Sequence, residues 1–229
     1  QVSMSASRLA TMSGSVMGLV SQDASVPQAL MNPTPRRTGE EIEVCPEGVP
    51  LSELVSPPMT QIVQAVLEPS QNWMAEQLVR TLGAEFEGRG GWQEGLRVER
   101  RFLTEEAGLD SLDIYLRDGS GLSAKNLVTP RGLVQLLDYM RNSRNGAAYR
   151  DALASPGEEG STLENRLMGL EDQVFAKTGT ITHVASLSGY LYTRSHRILI
   201  FSILANGTGL PSRHVRSGID RVVGILARY

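Results

Sequence analysis

Over residues 1–54 apolar positions are scattered among Ser, Met, Pro and Gly, with no helical stripe. From residue 56 onward they fall into regular periods. Residues 59–67 read as a short helix stopped by Pro69. Residues 72–82 put Ala75, Leu78, Val79 and Leu82 on one face, with Gly83 as the expected stop. Residues 92–107 carry a stripe of Trp92, Leu96, Leu103 and Ala107, closed by Gly108. Residues 112–116 alternate enough for a strand or an extended link, and Asp118-Gly119-Ser120-Gly121 forms a turn. Thr129-Pro130 opens a helix, with Thr as N-cap and Pro at the first position, burying Leu133, Leu136, Leu137 and Met140.

The later half turns from helix to strand. Shorter helices are predicted over 147–154 and 162–168, the second ended by Gly169. Strands are predicted over 173–177, 185–193 and 197–205, the last two joined as a hairpin through Arg194-Ser195-His196. Ser212 caps a final helix whose inner face is Val215, Ile219, Val222 and Leu226. Helices first, then a meander of strands, then a helix able to lie on them, define an α+β architecture. Residues 1–54, with turn signals at 32–35 and 45–48 and short strand candidates at 16–20 and 42–44, read as the end of a separate, β-rich unit. The domain division is therefore 1–54 and 55–229.

Composition narrows the function classes. The chain has 229 residues, a net charge of −3 and 41% hydrophobic residues, which fits one globular domain, or one domain plus a fragment of another. Its near-neutral charge and lack of a basic block give no support for nucleic-acid binding. No run approaches the roughly 18 apolar residues of a membrane span. Cys45 is the single cysteine, so an internal disulfide is excluded and the thiol is expected to be free and outside catalysis. No metal cluster or cofactor motif is apparent.

Three motifs carry candidate chemistry. In Lys177-Thr178-Gly179 the ammonium can hold a carboxylate, the threonine hydroxyl adds a hydrogen bond, and the glycine leaves the strand backbone open to a ligand. The N–H of Thr180 can then face an oxyanion. The competing reading is a strand end with a turn glycine. In Ser70-Gln71-Asn72 the serine can relay a proton and the amide can position a peptide, but Ser and Asn are also favoured helix caps. Asp118 in its glycine turn reads as Asx-type hydrogen bonding. Glu76, Glu105 and Glu106 read as solvated helix faces, and His183 as a surface histidine.

Taken together, these segments resemble the penicillin-binding D-alanyl-D-alanine carboxypeptidase/endopeptidase family, of the low-molecular-mass type with domains inserted in the transpeptidase fold. The similarity runs in order through Ser56-Pro57-Pro58, the stretch from Ser70 to Glu76, Arg80-Thr81-Leu82-Gly83 and Asp118 to Ser123 with Asn126. It continues through Gly160 to Leu163 with Arg166, Ala176 to Thr180, Ser186 to Tyr190 and Asn206-Gly207. The resemblance implies a transpeptidase/serine β-lactamase-like fold and acyl-enzyme hydrolysis of peptidoglycan peptides ending in D-Ala-D-Ala. It implies β-lactam binding, no cofactor or metal, and a periplasmic or extracytoplasmic bacterial location. It places Ser70, Asn72 and Lys177 in the second and third active-site motifs, and Thr178, Gly179 and Thr180 against the substrate.

Two departures stand out. Ala124-Lys125 follows the Asp118–Ser123 turn where the family usually has Arg. More importantly, Ser-x-x-Lys is absent: the residues three before the two lysines, Lys125 and Lys177, are Leu122 and Val174. Ser5-Ala6-Ser7-Arg8 is a near miss, but arginine stays protonated and cannot act as the base. The nucleophile is expected upstream of Gln1, in a larger enzyme of which this chain is the C-terminal portion. The alternative is a non-catalytic peptide-binding module that has lost the nucleophile. A serine β-lactamase or esterase fits the helical segments less well.

Overall fold

The computed structural model describes residues 55–229, of which residues 60–229 form one unit. The strand candidates at 16–20 and 42–44, the Ser5–Arg8 near miss and Cys45 lie outside the described residues. Among the described residues, six α-helices surround two small antiparallel sheets. The helices are α1 (Met59–Leu67), α2 (Asn72–Glu87), α3 (Trp92–Arg101), α4 (Pro130–Asn142), α5 (Gly146–Asp151) and α6 (Ser212–Leu226). One sheet pairs β1 (Ile114–Tyr115) with β2 (Leu127–Val128), a strand the sequence did not suggest. The other has the order β3 (Val174–Ile181), β4 (Val184–Tyr192), β5 (Ile198–Asn206).

The three-stranded sheet is covered on both faces, and the strand period of two decides what each face receives. Ala185, Leu187 and Leu191 of β4 turn with Val174 and Ala176 of β3 and Phe201 of β5 toward Ile219, Val223 and Ala227 at the C-terminal end of the chain. Tyr190 and Tyr192 turn the other way with Phe175 and Ile200, onto Leu137 of α4, Leu153 and Leu67 of α1. The Tyr190 hydroxyl donates to the Leu137 carbonyl (2.7 Å), so even its polar tip is satisfied inside. Gly189 is obligatory in β4: a β-carbon there would collide with the Phe175 carbonyl on the neighbouring strand.

Several boundaries differ from the sequence reading. Helix α2 passes through Gly83 and ends at Gly88, whose φ of 70° is the left-handed C-cap conformation. Gly83 is instead a contact point: a β-carbon there would come within 2.8 Å of Gly95 N on α3. The 92–107 stripe is helical, but its end, Phe102–Glu106, widens to a π-helical turn. Trp92 is half exposed, while Gly95 and Val98 are buried. Residues 162–168 form turns, not a helix; Leu167 has a φ of 54° and Leu163 is fully buried in the sheet core. In α6 the inner residue is Val223, fully buried, rather than Val222, because four residues on from Ile219 is the same helix face. Ser212 is the first helical residue and Pro211 the N-cap, so the serine does not cap. Thr129, by contrast, caps α4 as expected, accepting from Gly132 N.

The family-like segment Gly160–Arg166 has a structural role. Ser161 Oγ accepts from Leu163 N and donates to the Ser155 carbonyl. Arg166 then grips Asp220 of α6 through two bonds of 3.2 and 2.7 Å.

Candidate active site

Ser70 sits at the α1–α2 junction in a conformation a serine rarely adopts. Gln71 N donates back to the Val66 carbonyl (2.9 Å), closing a Schellman-type turn over the end of α1. Ser70 occupies the left-handed position of that turn, with a φ of 64°. Glycine is the unstrained residue there, and a serine costs about 1 kcal/mol. Capping, the competing role for this serine, is not what it does: the N-cap of α2 is Gln71, without a side-chain cap bond.

Lys177 reaches the same place by the alternation of β3. It stands two residues beyond Phe175, on the sheet face onto which Leu67 of α1 packs. Three residues after Leu67 comes Ser70. Lys177 Nζ donates to Ser70 Oγ at 2.7 Å and to the Thr178 carbonyl at 3.0 Å. The lysine is half-buried, and burial pulls its amine down from the ordinary 10.5 to about 8. The tripeptide lies inside a continuous strand, not at a strand end as the short prediction of 173–177 implied.

β3 is the edge of the sheet among the described residues. Ala176 N donates across that edge to the Ala154 carbonyl (2.9 Å). Backbone alternation aims the N–H groups of Thr178 and Thr180 to the same side, where nothing among the described residues pairs with them. A β-carbon on Gly179 would run into Ser186 Oγ of β4, so the glycine keeps this stretch narrow.

Asn72 is exposed at the first position of α2, and among the described residues its side chain makes no hydrogen bond. It lies two residues from Ser70 without being tied to Lys177. His183 is exposed, with a φ of 64° at the β3–β4 turn, and its carbonyl accepts from Gly207 N (2.8 Å).

One carboxylate was misread as a solvated face. Glu76, one turn along α2 from Asn72, accepts from Gly119 N (3.2 Å), Ser120 N (2.9 Å) and Trp92 Nε1 (2.9 Å). Burial pushes its carboxyl up, but the bonds from Ser120, Gly119 and Trp92 outweigh it and hold the group below its ordinary range. The turn it holds is organised as expected by Asp118, which accepts from Gly121 N, Ser123 N and Asn126 Nδ2 at 2.6–2.7 Å. Beside them Glu99 has a buried Oε2 with no partner among the described residues. Burial, with the charges of Asp118 and Glu76, pushes its carboxyl up to about 7. Only spatial proximity links these residues, so no linear motif could have shown the arrangement.

The site therefore joins a strained serine, a half-buried lysine and an open strand edge within a helix-flanked antiparallel sheet. That is the penicillin-binding and serine β-lactamase-like fold. Penicillin binding protein 4 (dacB) from Haemophilus influenzae superposes with a TM-score of 0.68 at 22% identity, covering 79% of this chain and 43% of that one. The TLA-1 extended-spectrum β-lactamase superposes at 0.56 with 19% identity, covering 76% and 65%. The profile of the D-Ala-D-Ala carboxypeptidase 3 (S13) family matches residues 41–229, and the chain belongs to that family. The D-alanyl-D-alanine carboxypeptidase of Actinomadura sp. (strain R39) is 36% identical over 168 residues, covering 71% of this chain. The chain spans 31% of the length of that relative.

Proposed function

We propose that this chain supplies two of the three walls of a serine-type D-Ala-D-Ala carboxypeptidase/endopeptidase site acting on peptidoglycan stem peptides. The observation that carries the reading is the 2.7 Å bond between Lys177 Nζ and Ser70 Oγ, across 107 positions of sequence. Family membership supports it. The nucleophile is a serine of a Ser-x-x-Lys motif outside residues 1–229, in an enzyme whose inserted domains end near residue 54.

In this mechanism the nucleophile's oxygen attacks the carbonyl carbon of the D-Ala-D-Ala bond as the neighbouring lysine takes its proton. Lys177, as an ammonium, and the Thr178 hydroxyl hold the terminal carboxylate. The Thr180 N–H faces the developing oxyanion, with Gly179 leaving the strand accessible. Asn72 orients the substrate's peptide group. Ser70 relays the proton to the leaving nitrogen; the C–N bond breaks and D-Ala departs. Water then cleaves the acyl ester, restoring the serine. β-Lactams enter by the same attack, and the substrate places the enzyme in the periplasm or another extracytoplasmic space. No helix of the described residues is long and apolar enough to cross a membrane.

The absence of Ser-x-x-Lys from the sequence favours a second reading, a peptide-binding module without turnover. Both predict binding; only the first predicts release of D-Ala. The test is D-Ala release from an acylated Lys-D-Ala-D-Ala tripeptide by the natural protein that contains this chain. Turnover supports the enzyme. Tight binding without turnover contradicts it and favours the module.

A further inference from the structure

The serine site has a neighbour that its chemistry does not use. Glu76 gathers three donors from two separate segments: the backbone of the 118–126 loop and the indole of Trp92 at the start of α3. Among the described residues no cation is paired with it. A carboxylate that faces only hydrogen-bond donors acts as a staple, since it offers several lone pairs and no proton. Glutamine cannot replace it without turning N–H groups toward N–H groups.

What the staple joins is specific. The loop lies directly on α2: a β-carbon on Gly119 would collide with Val79 Cγ2 and come within 3.0 Å of the Ala75 carbonyl. Within the loop, Asp118 draws Gly121, Ser123 and Asn126 into one ring, and Asn126 Oδ1 accepts from Arg117 N (2.7 Å). The loop is thus stiff, and Glu76 is its charged attachment to α2. Asn72 lies four residues before Glu76, on the same helix face, and Ser70 two residues further. Ser70 itself is strained, so its direction depends on what braces the helix that follows it.

We propose that Glu76 is a positioning residue of the serine site: by fastening the 118–126 loop to the first turns of α2, it fixes the direction from which Ser70 and Asn72 face the cleft. The proposal rests on the catalytic reading above. Glu99 adds an independent observation. Its Oε2, buried and without a partner among the described residues, lies near Asp118 and Glu76, so the node carries two differently treated glutamates, one well supplied with donors and one with an unpaired oxygen.

The test uses the natural protein that contains this chain, with Glu76→Gln, Gly119→Ala, the double variant and Lys177→Ala. Peptide turnover, thermal unfolding and amide hydrogen exchange are measured on each. Glu76→Gln is expected to lower kcat by about tenfold to a hundredfold. KM should stay within about threefold, since uniform binding is not what is lost. The Gly119 and Ser120 amides should lose protection while the melting temperature moves little. Gly119→Ala lifts the loop from the other side and should give the same loss, with the double variant no worse than the poorer single one. Wild-type kcat in Glu76→Gln, unchanged exchange at Gly119 and Ser120, or additive losses in the double variant would each overturn the proposal. Full turnover in Lys177→Ala would remove the catalytic reading and the proposal with it. Loss in Lys177→Ala alone isolates a failure of the Glu76 claim.

Discussion

The sheet core and the α1–α2 junction are built on opposite principles. In the core, Leu163, Val174, Leu187, Leu191 and Val223 have no exposed surface and present only hydrocarbon to one another. At the junction, within the reach of one lysine side chain from β3, Ser70 holds a disfavoured backbone conformation and Lys177 an amine that burial disfavours as a cation. On the facing helix α3, near Glu76, Glu99 keeps a buried oxygen without a partner among the described residues. Each of these is a local loss of stability that the core must offset. Strain and desolvated polar groups concentrate at functional sites because chemistry requires groups that solvent and ideal packing would neutralise.

The contrast yields graded tests. The largest effect is expected from Lys177→Ala, which should lower peptide turnover in the natural protein about a hundred- to thousandfold. It should leave the melting temperature unchanged or raised, since a half-buried amine is removed. The pH profile gives its companion. Lys177 is protonated below about 8 and loses its charge above, so kcat/KM for a carboxylate-ended peptide should fall as pH rises through about 8. An acid limb with no alkaline limb near 8 would contradict this assignment.

On the core side, Leu187→Ala should lower the unfolding free energy by about 2–5 kcal/mol, whereas Val222→Ser, on the exposed face of α6, should change it by less than about 0.5 kcal/mol. Chemical denaturation measures both, and equal costs would mean that the helix is rotated from the position described.

Glu99 gives an intermediate effect with a defined sign. Its folded pKa of about 7 lies above the ordinary 4.5, so it contributes stability fully below about pH 4.5 and loses it as pH rises through about 7. Glu99→Gln should flatten stability over that window and leave the variant more stable than wild type by about 3 kcal/mol at pH 8. A steeper slope in the variant would refute the assignment. The smallest effect is the most pointed. Ser70→Gly should raise stability by up to about 1 kcal/mol, because glycine relieves the left-handed conformation, and still cost activity. Destabilisation by this variant would remove the strain argument.

Much of the fold could be read from period. The three strands, the hairpin and α6 follow from alternation at two and at 3.6, and the Thr129-Pro130 start follows from capping. Two of the misreadings come from a signal with two structural uses. Gly83 reads as a stop yet serves as a close approach between helices. Residues 162–168 carry helix-like spacing, yet burial of Leu163 and the Arg166–Asp220 grip set a turn. The meeting of Lys177 and Ser70 was legible because each lies in a short local motif. Glu76 was not, because its partners lie 16, 43 and 44 positions away. Ser70 as a strained C-terminal cap of α1 needed a φ value that no sequence displays.

The central claim is that Ser70 and Lys177 serve a nucleophile that residues 1–229 do not contain. Intact-mass and peptide mass spectrometry after incubation with penicillin test it most directly, on the natural protein and in parallel on residues 1–229. The account predicts a stable adduct on the serine of a Ser-x-x-Lys motif outside this chain, and none on residues 1–229. An adduct on Ser70, or on any other serine within residues 1–229, would contradict it.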